Sequence, residues 1–184
     1  MDDLVVRAML KWPHVPDCYG WLGLDARGRW FMRDDASQLA GDFASGNLLA
    51  RGSELKHEKL IQFIERNYGA DDDGQWFFQN GPQRVFVELQ ATPWIWRMDD
   101  QFGISAHTGQ VTHFVSALLD ENGWLYLNTD LGVGLLHSQD VLRAEQAIER
   151  KGWELQQTTI ADIVQRFGFV KSPLLRQRSK SNNP

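Results

Sequence analysis

The stretch Asp25-Ala-Arg-Gly28-Arg-Trp30-Phe31 decides how this chain is read, because its pattern returns twice: "DDDGQWF" from Asp71 to Phe77 and "DENGWLY" from Asp120 to Tyr126. Each copy sets an Asp three residues before a Gly and follows the Gly with aromatic strand formers. An Asp that opens a turn accepts backbone N–H groups, and a Gly three positions on takes the left-handed conformation that side chains resist. The pattern predicts three hairpin corners, leading into Trp30-Phe31-Met32, Trp76-Phe77-Phe78 and Trp124-Leu125-Tyr126-Leu127. A calcium loop is the competing reading of such acidic turns. With Gly74 as the sixth residue of an EF-hand loop, the first and twelfth ligand positions fall on Gly69 and Asn80, and the other copies put Gly23 or Leu118 first. Calcium is rejected. The segments between the copies do not match one another, so the repeat is recurrent hairpin chemistry and not a tandem duplication.

Working outward, helices separate the turns. Leu4 to Leu10 predicts a short helix stopped by Pro13. Ser53 caps a predicted helix to about Asn67, with Leu60, Ile61, Ile64 and Tyr68 as its apolar stripe and Gly69 as terminator. A further helix is predicted over Ser138 to Arg150, with Val141, Ala144 and Ile148 inward. Another starts at Thr159, with Asp162 in the capping-box position and Gly168 at its end. From Gln83 the strands are nearly continuous: Arg84 to Leu89, Trp94 to Met98, Phe102 to Ala106, Val111 to Leu118 and Trp124 to Asn128. Their short connections predict antiparallel neighbours, since a parallel crossover takes about a dozen residues.

The expected architecture is α+β: an N-terminal helix and hairpin subdomain over residues 1–81, then an antiparallel β-rich subdomain over residues 82–170. The latter is a bent sheet or partial barrel with closing C-terminal helices. Residues 171–184 lack apolar periodicity and are expected to form a disordered basic tail.

With 184 residues, 42% hydrophobic and 23% charged, the chain has the composition of a globular protein that needs no disulfide or metal to fold. Its eight tryptophans must be buried or laid across a groove, because that many exposed indoles would cause association. The single cysteine, Cys18, allows no intramolecular disulfide and suits a reducing compartment. The acidic N-terminus lacks the basic and apolar regions of a signal peptide, and no apolar run reaches the roughly 18 residues of a membrane span. A cytoplasmic protein without a membrane association is expected. Residues 171–184 carry Lys171, Arg176, Arg178 and Lys180 and no acid, so the chain's net charge of −5 becomes −9 for residues 1–170. A body that acidic repels a phosphate backbone, so nucleic acid is excluded as the main partner.

The order strand, Asp-x-x-Gly, Trp-Phe, helix, second turn with aromatic strand, then "ATPWIWRM" (Ala91 to Met98) and "LYLNTDLGVGLL" (Leu125 to Leu136), resembles the uncharacterised bacterial proteins of domain-of-unknown-function family 1285. The similarity spans about Tyr19 to Ile148. Thr129-Asp130-Leu131-Gly132 is similar to that family's Thr-Asn-x-Gly segment, with Asp130 for the usual Asn and Val133 where an Asp often follows. The resemblance implies a two-part α+β fold with a pleckstrin-homology-like barrel and a ligand-binding or regulatory role.

The candidate chemistry is sparse. Cys18 with His14, in "WPHVPDCYGW", has the residue types of a thiolate and imidazole pair but no cysteine-enzyme signature; a small buried hydrophobe is the plainer reading. His107 and His113 flank Thr108-Gly109; a two-residue hairpin sends them to opposite faces, other loop lengths restore a shared face, and no third or fourth zinc ligand is evident nearby. His57 reads as a boundary residue on the apolar side of its helix. Gly132-Val133-Gly134 lacks the third glycine of a Rossmann fingerprint, since position 137 is His137, and reads as a bent strand. Trp94 and Trp96 alternate with Ile95 and Arg97, so both indoles share one face, as core or as a stacking platform.

The sequence points to a non-enzymatic regulatory module, without cofactor, that binds a small molecule or a protein on a concave surface at the junction of its two parts. Trp94, Trp96, Thr129, Asp130 and His137 would line it. A hydrolase or transferase using Cys18 with His14 or His107 is the second reading, and a homo-oligomer joined through an aromatic face the third.

Overall fold

The computed structural model describes residues 1–181. The fold is α+β, and the chain divides into two units: residues 1–25, 29–90 and from 170 on form the first, residues 26–28 and 91–169 the second.

In chain order the first unit contains α1 (Asp3–Lys11), β1 (Cys18–Leu24), β2 (Trp30–Met32), α2 (Asp35–Leu39), α3 (Leu48–Arg51), β3 (Ser53–Glu54), α4 (Glu58–Arg66), β4 (Tyr68–Ala70), β5 (Trp76–Asn80) and β6 (Gln83–Leu89). These strands make one sheet in the order β3-β2-β1-β6-β5-β4. β1 and β6 run parallel, and the other pairs are antiparallel. The second unit follows with β7 (Trp94–Met98), β8 (Ile104–Ala106), β9 (Val111–Thr112), β10 (Phe114–Leu119), β11 (Leu125–Thr129), β12 (Gly132–Leu136), a 3-10 turn (Ser138–Asp140), α5 (Val141–Lys151), β13 (Leu155–Gln157) and α6 (Ile160–Phe167). Its curled sheet is a half-barrel of seven strands, ordered β13-β10-β11-β12-β7-β8-β9. The chain then returns to the first unit, where α7 (Pro173–Ser181) packs on β1 and β6.

All three Asp-x-x-Gly turns are hairpin corners, joining β1 to β2, β4 to β5 and β10 to β11. In each, the Asp carboxylate accepts the backbone N–H four residues on: Arg29 N to Asp25 at 2.9 Å, Gln75 N to Asp71 at 2.8 Å and Trp124 N to Asp120 at 2.8 Å. Gly28, Gly74 and Gly123 all have φ near +75°. A fourth corner of the same build joins β7 to β8 without the sequence signature. Asp99 accepts from Gly103 N at 2.7 Å, and the left-handed position falls on Phe102, at φ +66°.

Several expectations give way to specific contacts. The strand run from Gln83 is not one sheet: β6 belongs to the first and β7 to the second, so the division falls after Gln90 and not after Gly81. β6 stays behind because it is the strand that joins β1 to the β5-β4 hairpin. The second sheet is mixed, with β7-β12 and β10-β13 parallel, since short connections limit how neighbours in sequence pair and say nothing about strands far apart in the chain. The helix expected from Ser53 starts at Glu58, where His57 caps it by accepting from Leu60 N at 3.2 Å; His57 is exposed and not on an apolar face. The earlier residues pair with β2 as β3. α5 buries Ala144 and Ala147, while Val141 is exposed. The tail expected to be disordered is helical over Pro173–Ser181, held by Arg176 and Lys180 on Asp73; residues 182–184 lie outside the described residues. The Thr159 cap with Asp162, ended by left-handed Gly168, stands as read.

Candidate functional site

The residues nominated from the sequence lie within the second unit, and most are packed in. Trp94 and Trp96 are 6% and 0% exposed and stack on each other at 5.7 Å. Their indole N–H groups donate to the carbonyls of Leu131 (2.9 Å) and Leu127 (2.8 Å), so both rings are anchored core. The Gly132–Gly134 segment serves them: a Cβ on Gly134 would overlap the Trp96 ring. Thr129 is buried, its hydroxyl donating to Gly132 O and accepting from Leu131 N, both at 3.2 Å. His137 is buried and caps the 3-10 turn by accepting from Gln139 N. Asp130 alone is exposed, paired with His113 at 2.9 Å.

The other candidates do not assemble into a site. His113 is exposed beside Asp130, while the His107 ring packs against Trp94 and accepts from Ile95 N, so the two do not share a ligand position. Among the described residues no group of three His, Cys, Asp or Glu side chains is placed to hold a metal. Cys18 is half-buried, and burial pushes its thiol pKa up, opposite to the shift a nucleophile needs. It borders an apolar cavity of about 240 Å³ with Trp21, Leu22, Met32, Leu60 and Phe78.

A different place in the first unit collects charged groups. A cavity of about 250 Å³ is lined by Asp42, Phe43, Ala44, Ser45, Glu88, Leu89, Lys171, Ser172 and Leu175. Two glycines of β1 let its surroundings pack closely. A Cβ on Gly23 would overlap the Phe43 ring, and one on Gly20 would meet Leu174 of α7 at 2.9 Å, so bare backbone lets the loop and the C-terminal helix close in. The loop itself hangs on Arg33, which is 1% exposed. Its guanidinium donates to the carbonyls of Ala50 (2.8 Å), Gly20 (3.2 Å), Ser37 (3.3 Å) and Gly41 (2.6 Å), tying β1, α2 and α3 around one cation. Glu88 ties α7 to β6: it accepts from Ser172 Oγ at 2.5 Å and from Leu174 N at 3.0 Å, in the first turn of the helix.

The electrostatics of this cavity are uneven. Burial raises the Glu88 pKa, against the pull of its two donors and of Arg33. Burial lowers the pKa of Lys171. Among the described residues neither the Lys171 ammonium nor the Asp42 carboxylate has a hydrogen-bond or ion-pair partner. Elsewhere in the first unit Arg84 meets Asp17 at 2.8 Å beside a larger cleft of about 590 Å³ bordered by α1. One signal for the site stood in the sequence: Glu88 interrupts the apolar run Val85-Phe86-Val87-Glu88-Leu89. Nothing local marks Lys171, which is brought to Glu88 from 83 positions further along the chain.

Two solved structures similar to this chain are DUF1285 family proteins, the family the sequence resembles. The one from Silicibacter pomeroyi DSS-3 is 10% identical with a TM-score of 0.47, over 79% of this chain and 84% of that one. The one from Shewanella baltica OS155 is 16% identical with a TM-score of 0.44, over 68% and 91%. No curated protein matches. The model of the family described as "Protein of unknown function (DUF2946)" matches residues 1–174, and the chain belongs to that family.

Proposed function

We propose that the protein is a non-enzymatic binding module that takes a small ligand into the cavity between Phe43, Glu88 and Lys171. One observation carries this reading: Asp42 and Lys171, which among the described residues have no hydrogen-bond or ion-pair partner, border one cavity beside the buried side chains of Phe43, Glu88 and Leu89. Burial lowers the Lys171 pKa, and an anionic or accepting group of a ligand would replace the hydration that its side chain has partly lost. At about 250 Å³ the cavity is smaller than the roughly 300 Å³ at which drug-sized sites begin, which favours a metabolite of few heavy atoms. The raised Cys18 pKa weighs against the thiolate enzyme, and the single cysteine favours a reducing, cytoplasmic setting.

Native mass spectrometry of freshly purified protein tests the reading. A small adduct that is lost on denaturation, and that Lys171→Met no longer retains, is the expected outcome. An adduct kept equally by Lys171→Met would move the ligand to another place, and rapid iodoacetamide labelling of folded Cys18 near neutral pH would return weight to the enzyme.

A further inference from the structure

Apolar side chains stand out of the first unit in two places, and the charges beside them have opposite sign. One place is the corner between α2 and α3. Leu39, Leu48 and Leu49 there are between 77% and 88% exposed. One hydrogen bond brings them together: Asn47, next to Leu48, donates from Nδ2 to the carbonyl of Ala40, next to Leu39, at 3.0 Å. Asp35 precedes Leu39 by one turn on the same face of α2, and Asp42 lies in the connecting loop. No lysine or arginine occurs between Arg33 and Arg51, whose guanidinium groups are taken by backbone carbonyls and by Asp25. Among the described residues Asp35 and Asp42 have no ion-pair partner. The corner is a leucine knob with acidic flanks.

The other place is α1. Its Leu10 is 79% exposed and, with Met9, Trp12 and Phe77, borders the cleft of about 590 Å³. An α-helix turns about 100° per residue, which sets Arg7 and Lys11 beside Leu10 on its side away from Met9 and the cleft. Among the described residues neither cation has an ion-pair partner, and the one carboxylate within α1 is Asp3. Within the cleft Arg84 and Asp17 are paired and Asp71 holds its turn, which leaves Asp72 as its unpaired charge. An acidic partner thus meets cations on the Arg7 side and a carboxylate in the cleft, so the cleft itself takes an apolar group. A cluster of leucines this exposed marks a contact surface, and its flanking charges select a basic counterpart. We propose that the leucine knob of one copy of the protein docks in the α1 cleft of a second copy, with Asp35 and Asp42 facing Arg7 and Lys11. Made twice about a two-fold axis, the contact closes a dimer in which each copy gives its knob and receives its partner's. Both surfaces belong to the first unit, so the second takes no part in the contact.

Sedimentation velocity of the full-length protein, from about 1 to about 100 µM, tests the contact. A reversible dimer is expected at the upper end, weakened severalfold by salt at about 0.5 M because the flanking charges are exposed. Leu48→Asp and Leu10→Asp are each expected to weaken association by about tenfold or more. Charge reversal is the sharper test, with Arg7→Glu and Lys11→Glu in one variant and Asp35→Lys and Asp42→Lys in another. Each variant alone sets like charges together in both contacts of the dimer and is expected to stay monomeric. Mixed in equal amounts, the two restore opposite charges in both contacts, and the heterodimer is expected to form. All four side chains are exposed, so circular dichroism of each variant is expected to match the wild type. A wild-type monomer at about 100 µM overturns the proposal. A dimer that both leucine variants leave intact overturns it too, by placing the interface elsewhere, as does a mixture of folded charge-reversal variants that fails to recover association.

Discussion

Asp140 in the second unit and Lys171 in the first are both groups whose charged form burial disfavours, and they are treated in opposite ways. Asp140 accepts from Arg97 at 2.6 Å, from Arg143 at 2.8 Å and from Met98 N at 3.2 Å. Burial works against its ionised form, yet these donors prevail and hold its pKa below the usual value. Trp94 and Trp96 nearby direct their N–H groups to backbone carbonyls. The first unit builds a comparable knot at Arg33, but among the described residues Lys171 and Asp42 border a cavity with no hydrogen-bond or ion-pair partner. The aromatic pair is thus internally satisfied, whereas the two charges at the cavity meet only solvent. A stacking tryptophan pair looks like a ligand platform only until its N–H groups are accounted for.

The comparison can be broken at its strongest point first. Trp96→Ala should cost about 4 kcal/mol by urea unfolding, through lost burial, a cavity and an orphaned Leu127 carbonyl, and a loss below about 1 kcal/mol would mean the ring is not core. Arg33→Met should cost about 3 kcal/mol, because four carbonyls lose their donor, and Arg33→Lys should rescue little of it since an ammonium cannot reach all four. Glu88→Gln sharpens the contrast through pH. The native Glu88 pKa is raised above its unfolded value, so the native state holds the proton longer and stability falls as pH rises from about 4.5 through the native value. That fall should be smaller in Glu88→Gln, whose amide serves Ser172 and Leu174 at any pH; an unchanged slope would deny Glu88 this role. Phe102→Gly should stabilise the second unit by about 1 kcal/mol, by relieving a left-handed phenylalanine in a turn whose three relatives use Gly. Lys171→Met should change stability least, within about 0.5 kcal/mol in the absence of ligand, as expected of a charge that holds nothing together.

Local chemistry was well written in the sequence. Three hairpin corners, the Thr159 cap and the α1 helix were legible because each depends on residues within a few positions of one another. The fourth corner was hidden because Phe102 occupies the position that Gly marks in the other three. Sheet membership was not legible: β6 and β7 are close in the chain, yet they belong to different sheets, and their strand patterns are alike. The candidate cavity was least legible. Its Phe43 wall depends on Gly23 having no side chain, its loop on four carbonyls gathered by Arg33, and its lysine on the return of the chain after residue 170. None of these relations has a spacing that a single sequence displays.

The central claim is that a ligand meets the protein at the Lys171 cavity and not at the tryptophans. The most direct measurement is a two-dimensional 15N–1H spectrum of the labelled protein titrated with a small-molecule cell extract, read at backbone amides and at the tryptophan indoles. The account predicts shifts at residues 42–45, 88–89 and 171–175, with the Trp94 and Trp96 indole signals unmoved. Shifts confined to those two indoles and to residues 129–134 would contradict it.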